Sequence, residues 1–436
     1  MAEIQSFDGK KATYVTAAAS IGTLIEYYDF FLSSVAAGLV WPTIFFSFAS
    51  TALAAALSIA TFGIVYLARP FGAFIFGHYG DWLGRKRAVI WTFVVAGIGS
   101  LGIALLPPYA TLGAISIFLL LLFRVLQGIG IGGDSGAAMT WVSEVTAKAK
   151  RRSFWAGWVM VVAPAGILLS SLSFGYISGV LSNAAFIDWG WRVLFGIGAI
   201  LLFIGAAFRY KLEESLIFKA LEKQNALEKK SPAITVIKKE WKLILVLAGA
   251  SLYMVAPNVI LISPYSVNYM VALGTTKSFA AYAISIGSAF GVIMSIIAAY
   301  LGDMFKKKNV MFAGAVFSVI FSVPYLALIR TGIPFYMVLA PVLMYLAVTV
   351  ANGIVPSFFP EQFKAKYRAS GSGISFQLGG FITGLIATFI LPTLILISGG
   401  VLKAGNYVIM LTALVSLVSV ISLISLRARK NVDLAK

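Results

Sequence analysis

Residues 77–87 read Gly77-His78-Tyr79-Gly80-Asp81-Trp82-Leu83-Gly84-Arg85-Lys86-Arg87. This short polar turn ends in three consecutive bases. Long apolar runs flank it, roughly 52–77 before and 88–106 after. A helix needs about 20 predominantly apolar residues to cross a bilayer, and each flank meets or nearly meets that length. The turn therefore reads as a loop joining two membrane spans.

The same reading extends in both directions. Ten further apolar runs lie at about 14–41, 112–142, 154–180, 191–209, 242–272, 279–302, 309–329, 334–357, 369–397 and 404–426. The expectation is an all-α integral membrane protein of twelve transmembrane helices. Composition agrees: 60% of the 436 residues are hydrophobic and only 11% charged, against about 25% charged in soluble domains. The first run carries Glu26 and Asp29 and lacks a small-residue cleavage site, so it reads as a span rather than a signal peptide.

The net charge of +18 would suggest nucleic acid in a soluble chain. Here the bases cluster between apolar runs, so no nucleic-acid partner is expected. Lys and Arg accumulate on the cytoplasmic side of membrane proteins. Loops with Lys10 and Lys11, Arg85 to Arg87, Lys148 to Arg152, Lys306 to Lys308 and Lys364 to Arg368 all fall on one side, while the other side holds only Arg192, Lys277, Arg330 and Lys403. Both termini are expected in the cytoplasm, in the cell membrane, with anionic headgroups binding the basic loops. No oligomer is required. There is no cysteine and one histidine, His78, so no metal site, no cofactor and no catalytic set is expected, and an enzyme is disfavoured.

The halves echo each other. Tyr79-Gly80-Asp81 before Gly84-Arg85-Lys86-Arg87 is matched by Leu301-Gly302-Asp303 before Lys306-Lys307-Lys308, the aspartates 222 residues apart. Glu144 precedes Arg151 by seven residues and Glu361 precedes Arg368 by seven, the glutamates 217 apart in a chain whose half-length is 218. This argues for a duplicated six-helix unit. The expected domains are 1–209, a cytoplasmic linker at 210–241 with amphipathic helices, and 242–436. Internal repeats mark secondary transporters, with the substrate site at their interface.

The 77–87 loop resembles the signature between helices two and three of the major facilitator superfamily. Arg124-Val125-Leu126-Gln127-Gly128-Ile129-Gly130 resembles its helix-four motif. Gly22-Thr23-Leu24-Ile25-Glu26-Tyr27-Tyr28-Asp29-Phe30 is similar to the metabolite:proton symporter branch, which usually has Trp where Tyr27 stands. Trp189-Gly190-Trp191-Arg192, Glu213-Glu214-Ser215 with Phe218, and Phe359-Pro360-Glu361 with Arg368 also fit that branch. Two positions depart from the pattern. Asp134 stands where the branch has Glu after two glycines, and Lys306 stands where Gly is expected.

The resemblance implies two six-helix bundles of the major facilitator fold. It implies proton-coupled symport of a small organic acid or zwitterion by alternating access. Sugar:proton symport and proton-coupled export of organic cations or drugs are the alternatives. It also implies a cytoplasmic gate of Asp81, Arg85 and Glu144 with Arg151 or Arg152, mirrored by Asp303, Glu361 and Arg368. Helices one, four, seven and ten are its expected cavity lining.

Four ionisable residues are expected deep in spans: Glu26, Asp29, Arg124 and Asp134. Each costs about 2.5–3.5 kcal/mol at a helix centre on insertion scales, so each is a functional candidate. Glu26 and Asp29 are three apart and share a helix face. Asp29 is the expected proton carrier and Arg124 its partner, alternately paired with Asp29 or free for an anionic substrate. A structural ion pair is the competing reading. Asp134 is a relay, gate or solvated residue. Tyr27, Arg124, Gln127, Asn258, Tyr265, Asn268, Asn352 and Gln377 are candidate substrate contacts. Pro257 and Pro264 predict a broken seventh span. Gly128-x-Gly130 lies in an apolar helix, so helix packing explains it better than nucleotide binding.

Overall fold

The computed structural model describes residues 9–83, 85–133, 135–147, 149–210, 232–364 and 367–427. Twelve helical rods are present among them. In the first half they are α1 (Gly9–Leu39), α2 (Thr51–Leu83), α3 (Arg85–Leu105), α4 (Ala114–Gly132, then Ser135–Val145), α5 (Arg152–Val180) and α6 (Trp191–Tyr210). In the second half, α7 runs in three pieces (Pro232–Pro257, Asn258–Ile262, Tyr265–Ala272) and is followed by α8 (Lys277–Met304) and α9 (Lys307–Arg330). The last rods are α10 (Pro334–Val348, Val350–Glu361), α11 (Arg368–Leu385, Ile386–Ile390, Leu391–Ile397) and α12 (Val401–Ser425). Helices suit a bilayer because each satisfies its backbone groups within its own segment, without the closed sheet a barrel needs.

Among the described residues, ten helical segments are long and apolar enough to cross a membrane. The other two rods are α3, apolar over Ile90–Leu105, and α1, which carries Glu26 and Asp29. Large apolar side chains face outward around the bundle, including Phe71, Phe74, Leu105, Phe335 and Ile397. A lipid-facing rim explains an exposure that water would penalise.

The rods form two six-helix bundles. Their seam runs between α5 and α8, α5 and α10, and α2 and α11. Helix crossings are close because small residues line them. A Cβ on Gly72 would collide with the Ile129 carbonyl, and one on Gly132 with that of Arg69, so α2 and α4 touch backbone to backbone. That is the packing role expected of the α4 glycines.

The break in α7 is present. A wide helical turn follows Pro257, and Ser263 is extended at φ −149°, ψ 125°. Only the last part of the expected linker is described, and it is helical. Helix begins at Pro232 and runs into α7 through a kink at Glu240 (φ −125°, ψ 22°), because Ile234, Val236 and Ile237 continue the apolar pattern upstream of the span. Residues 211–231, the core of the expected amphipathic linker, lie outside the described residues.

Candidate functional site

Helix α1 has two working faces. Glu26, Asp29 and Ser33 fall on one stripe at i, i+3 and i+7; Tyr27, Phe31 and Ser34 fall on the other. The first stripe turns into the first bundle and the second turns toward the seam.

Asp29 is 1% exposed. One carboxylate oxygen, Oδ1, accepts from the Ser100 hydroxyl on α3, and Oδ2 accepts from Gln127 Nε2 on α4 at 2.9 Å. Gln127 Oε1 in turn accepts from Arg124 Nη1 at 2.6 Å. The amide orientation follows from its neighbours: a guanidinium only donates and a carboxylate only accepts. Arg124 also donates to the Thr61 and Phe62 carbonyls of α2 at 3.4 and 3.2 Å. Its guanidinium lies 5.5–5.8 Å from the Phe30, Trp41 and Phe62 rings. The expected Asp29–Arg124 pair is thus corrected. The two charges are not directly paired; Gln127 stands between them, because α4 presents residues 124 and 127 on one face three apart. Gly198 on α6 makes room for the carboxylate, since a Cβ there would sit 2.5 Å from Asp29 Oδ1. Glu26 is also buried.

On the other stripe, Tyr27 and Phe31 line a small cavity between the two bundles. Tyr66 and Arg69 of α2 and Pro164 of α5 complete the first-half wall. Asn258 of α7, Tyr345 and Asn352 of α10 and Phe376 of α11 form the other.

Arg69 corrects the expectation of four deep ionisable residues. It lies within the run assigned to span two and was absorbed into its apolar average. It is 3% exposed, with its guanidinium 4.7 Å from the Phe30 ring and 4.6 Å from the Tyr66 ring. The signal that finds it is a formal charge immediately before Pro70 inside an otherwise uncharged run. Ser100 and Gly198 carry no sequence signal of the Asp29 carboxylate beside them, because both are small and neutral.

Of the expected substrate contacts, Tyr27, Asn258 and Asn352 line the cavity. The others stand elsewhere. Arg124 and Gln127 lie behind α1 in the Asp29 network. Tyr265 donates to the Val401 carbonyl at 2.6 Å, tying α7 to α12. Asn268 donates to the Ala37 carbonyl at 3.3 Å across the seam. Gln377 donates to the Gly132 carbonyl at 3.2 Å, also across the seam. A polar residue in a span has several backbone carbonyls within reach, and helical spacing alone does not choose among them.

At the end carrying the basic loops, the halves are joined by charge. Arg152 pairs with Glu361 at 3.1 Å, and Lys307 also pairs with Glu361. Asp303 accepts from the Ser153 and Phe154 amides at 2.6 and 2.9 Å, so a second-half carboxylate caps the N-terminus of first-half α5. Arg152, not Arg151, makes the pair. Arg151 lies 5.0 Å from the Tyr300 ring. Arg368 is buried at the start of α11. Asp134 and the side chains of Asp81, Arg85 and Glu144 lie outside the described residues.

The opposite end closes by packing and neutral contacts. Ser34 and Ser263 hydroxyls are 2.8 Å apart, and Lys277 donates to Asn183 Oδ1 at 2.9 Å. A Cβ on Gly38 would meet Val267 at 2.7 Å. The two halves thus touch at both ends of the cavity.

Two bundles of membrane-length helices meeting around a central cavity have the architecture of a multi-pass membrane transporter. The comparisons with known proteins agree. The family described as Major Facilitator Superfamily matches residues 19–388. The chain is 30% identical over 393 residues to the inner membrane metabolite transport protein YhjE of Escherichia coli, covering 86% of each. It is 29% identical over 417 residues to the E. coli shikimate transporter, covering 90% of this chain and 92% of the relative. In fold it is similar to the E. coli xylose transporter XylE in a partially occluded inward-open conformation, with TM-score 0.70, 17% identity, and coverage of 93% and 97%. This chain belongs to the Major Facilitator Superfamily. It is a membrane transporter, not an enzyme.

Proposed function

We propose that the chain is a proton-coupled symporter of a small organic acid or zwitterion, working by alternating access in the cell membrane with both termini cytoplasmic. The observation that carries this reading is the buried Asp29 carboxylate, held by Ser100 and Gln127 and one amide from Arg124. Such a carboxylate takes up and releases a proton with no covalent step. When it is charged, Gln127 bridges it to Arg124. When it is neutral, that bridge weakens and the Arg124 charge is left without its counter-charge, a costly state in a buried place.

Helix α1 carries the consequence outward. Asp29 shares it with Tyr27 and Phe31 on the cavity wall and with Ser34 at the opposite-end seal. A shift of α1 on protonation therefore reaches both the substrate and one gate. The other gate is the basic end, where Arg152–Glu361 and the Asp303 cap must part for the cavity to open to the cytoplasm. Lys and Arg bias assigns that side. The substrates of the named relatives, a metabolite and shikimate, fit the class.

The test begins with a thermal-shift screen of acids, betaines and sugars at two pH values to find a ligand. In liposomes, Asp29→Asn should then abolish proton-driven accumulation of that ligand and leave counterflow exchange intact. Accumulation that persists in the variant overturns Asp29 as the proton carrier.

A further inference from the structure

Three residues lining the cavity share an uncommon property. Among the described residues, Arg69 Nε and Nη2, Asn258 Oδ1 and the Tyr345 hydroxyl are buried side-chain atoms with no hydrogen-bond partner, and all three residues line the same cavity. Buried polar groups are almost always paired. Most of the cavity's other lining residues are apolar or aromatic, so a ligand there meets few polar groups besides these.

We infer that Arg69 binds the carboxylate of the transported substrate side-on, and that this substrate is a monocarboxylate with an uncharged, hydroxylated body. The inference deepens the symport reading and rests on the same cavity.

Nε and Nη2 are the two donors on one edge of the guanidinium. That edge matches the two oxygens of a carboxylate with parallel hydrogen bonds. The Phe30 and Tyr66 rings, 4.7 and 4.6 Å away, hold the planar group in place. Arg69 is the one charged residue among those lining the cavity. A dicarboxylate would therefore bring a second anion with no cation to meet it. An organic cation would face Arg69 with like charge, which disfavours the exporter alternative.

A betaine is the closest competitor, because Tyr27, Phe31 and Phe376 offer aromatic faces to a quaternary ammonium. Its methylated nitrogen has no N–H, however. It would leave Asn258 Oδ1 and the Tyr345 hydroxyl as they are. Asn258 Nδ2 donates one of its two N–H groups to the Met254 carbonyl at 2.8 Å, while Oδ1 has no partner. Substrate hydroxyl groups, which both donate and accept, meet an acceptor and a phenol lining one cavity.

The experiment is isothermal titration of the purified full-length chain with hydroxylated monocarboxylates: shikimate, quinate, gluconate and lactate. The comparators are shikimate methyl ester, α-ketoglutarate, glycine betaine and D-xylose. At least one hydroxy acid should bind about tenfold or more tighter than every comparator. Arg69→Lys keeps the charge but loses the fork, and should weaken the best hydroxy acid about 10–100-fold. Failure of every hydroxy acid to bind, tighter binding of any comparator, or unchanged affinity in Arg69→Lys overturns the inference. The acid series needs no variant, so the test survives a variant that fails to fold. Liposome uptake under an imposed pH gradient separates the two readings. A hydroxy acid bound through Arg69 but not accumulated by the gradient sinks symport and leaves the Arg69 assignment standing.

Discussion

In the first half of the molecule, α1, α2 and α4 bury Glu26, Asp29, Arg69 and Arg124. In the second half, α7 and α10 bring Asn258, Tyr345 and Asn352 to the same cavity, and the buried base, Arg368, stands at the first residue of α11. Each half has six rods with glycines at close crossings, Gly132 against Arg69 in the first and Gly379 against Ser251 in the second. The halves do not repeat the charges. Each mid-membrane charge costs about 2.5–3.5 kcal/mol on insertion scales, so a second set needs its own reason to persist. Among the described residues, the first half holds the mid-membrane charges and the second adds neutral hydrogen-bonding groups to the cavity wall.

The sharpest way to break this division is to neutralise one half at a time. Asp29→Asn should cut proton-driven accumulation about 100-fold or more, to the level of exchange. Asn352→Ala in the second half should change KM and leave coupling intact, as liposome uptake with a pH-sensitive dye would read. Loss of coupling in Asn352→Ala would refute the division.

The seam offers the next test. A Cβ on Gly157 would sit 2.9 Å from Ala299 Cβ and 2.9 Å from the Gly353 carbonyl, both in the second half. Gly157→Val should therefore spare each bundle and destabilise only their closure at this point, by about 1–3 kcal/mol. Distances between spin labels across the basic end should lengthen. An unchanged distribution would mean that the seam yields more easily than its packing implies.

Tyr345→Phe removes a buried hydroxyl without a partner. Thermal stability should hold or rise, while affinity for a hydroxy acid falls about 5–10-fold. A loss of stability would assign that hydroxyl to the fold instead of the substrate.

The smallest effect belongs to the latch. Arg152 and Glu361 are 19% and 21% exposed, and partly exposed ion pairs contribute up to about 1 kcal/mol. Glu361→Gln should thus shift transport rate by about fivefold or less, with substrate affinity measured on the same preparation as the control. A far larger change would make charge, not packing, the main closure of that end.

Much of this was legible in the chain. Apolar runs of bilayer length, basic loops on one side and two matched offsets near half-length are one-dimensional signals, and lipid and backbone hydrogen bonding leave helices as the solution. Asp29 and Arg124 stood out because charge in an apolar run is conspicuous. Arg69 was equally charged and was hidden by averaging over a long span. Tyr265, Asn268 and Gln377 were chosen for polarity, and each proved to be tied to a backbone carbonyl away from the cavity.

The sequence by itself determined the solvent, the number of rods and most of the residues that pay for being charged in a membrane. Only the tertiary structure decided which of them meet. That Gln127 separates Asp29 from Arg124, that Ser100 and Gly198 shape the carboxylate's place, and that Arg69 faces Asn258 and Tyr345 across a cavity all depend on helix rotation and crossing. Those are set by contacts between residues up to hundreds of positions apart, which no local pattern encodes.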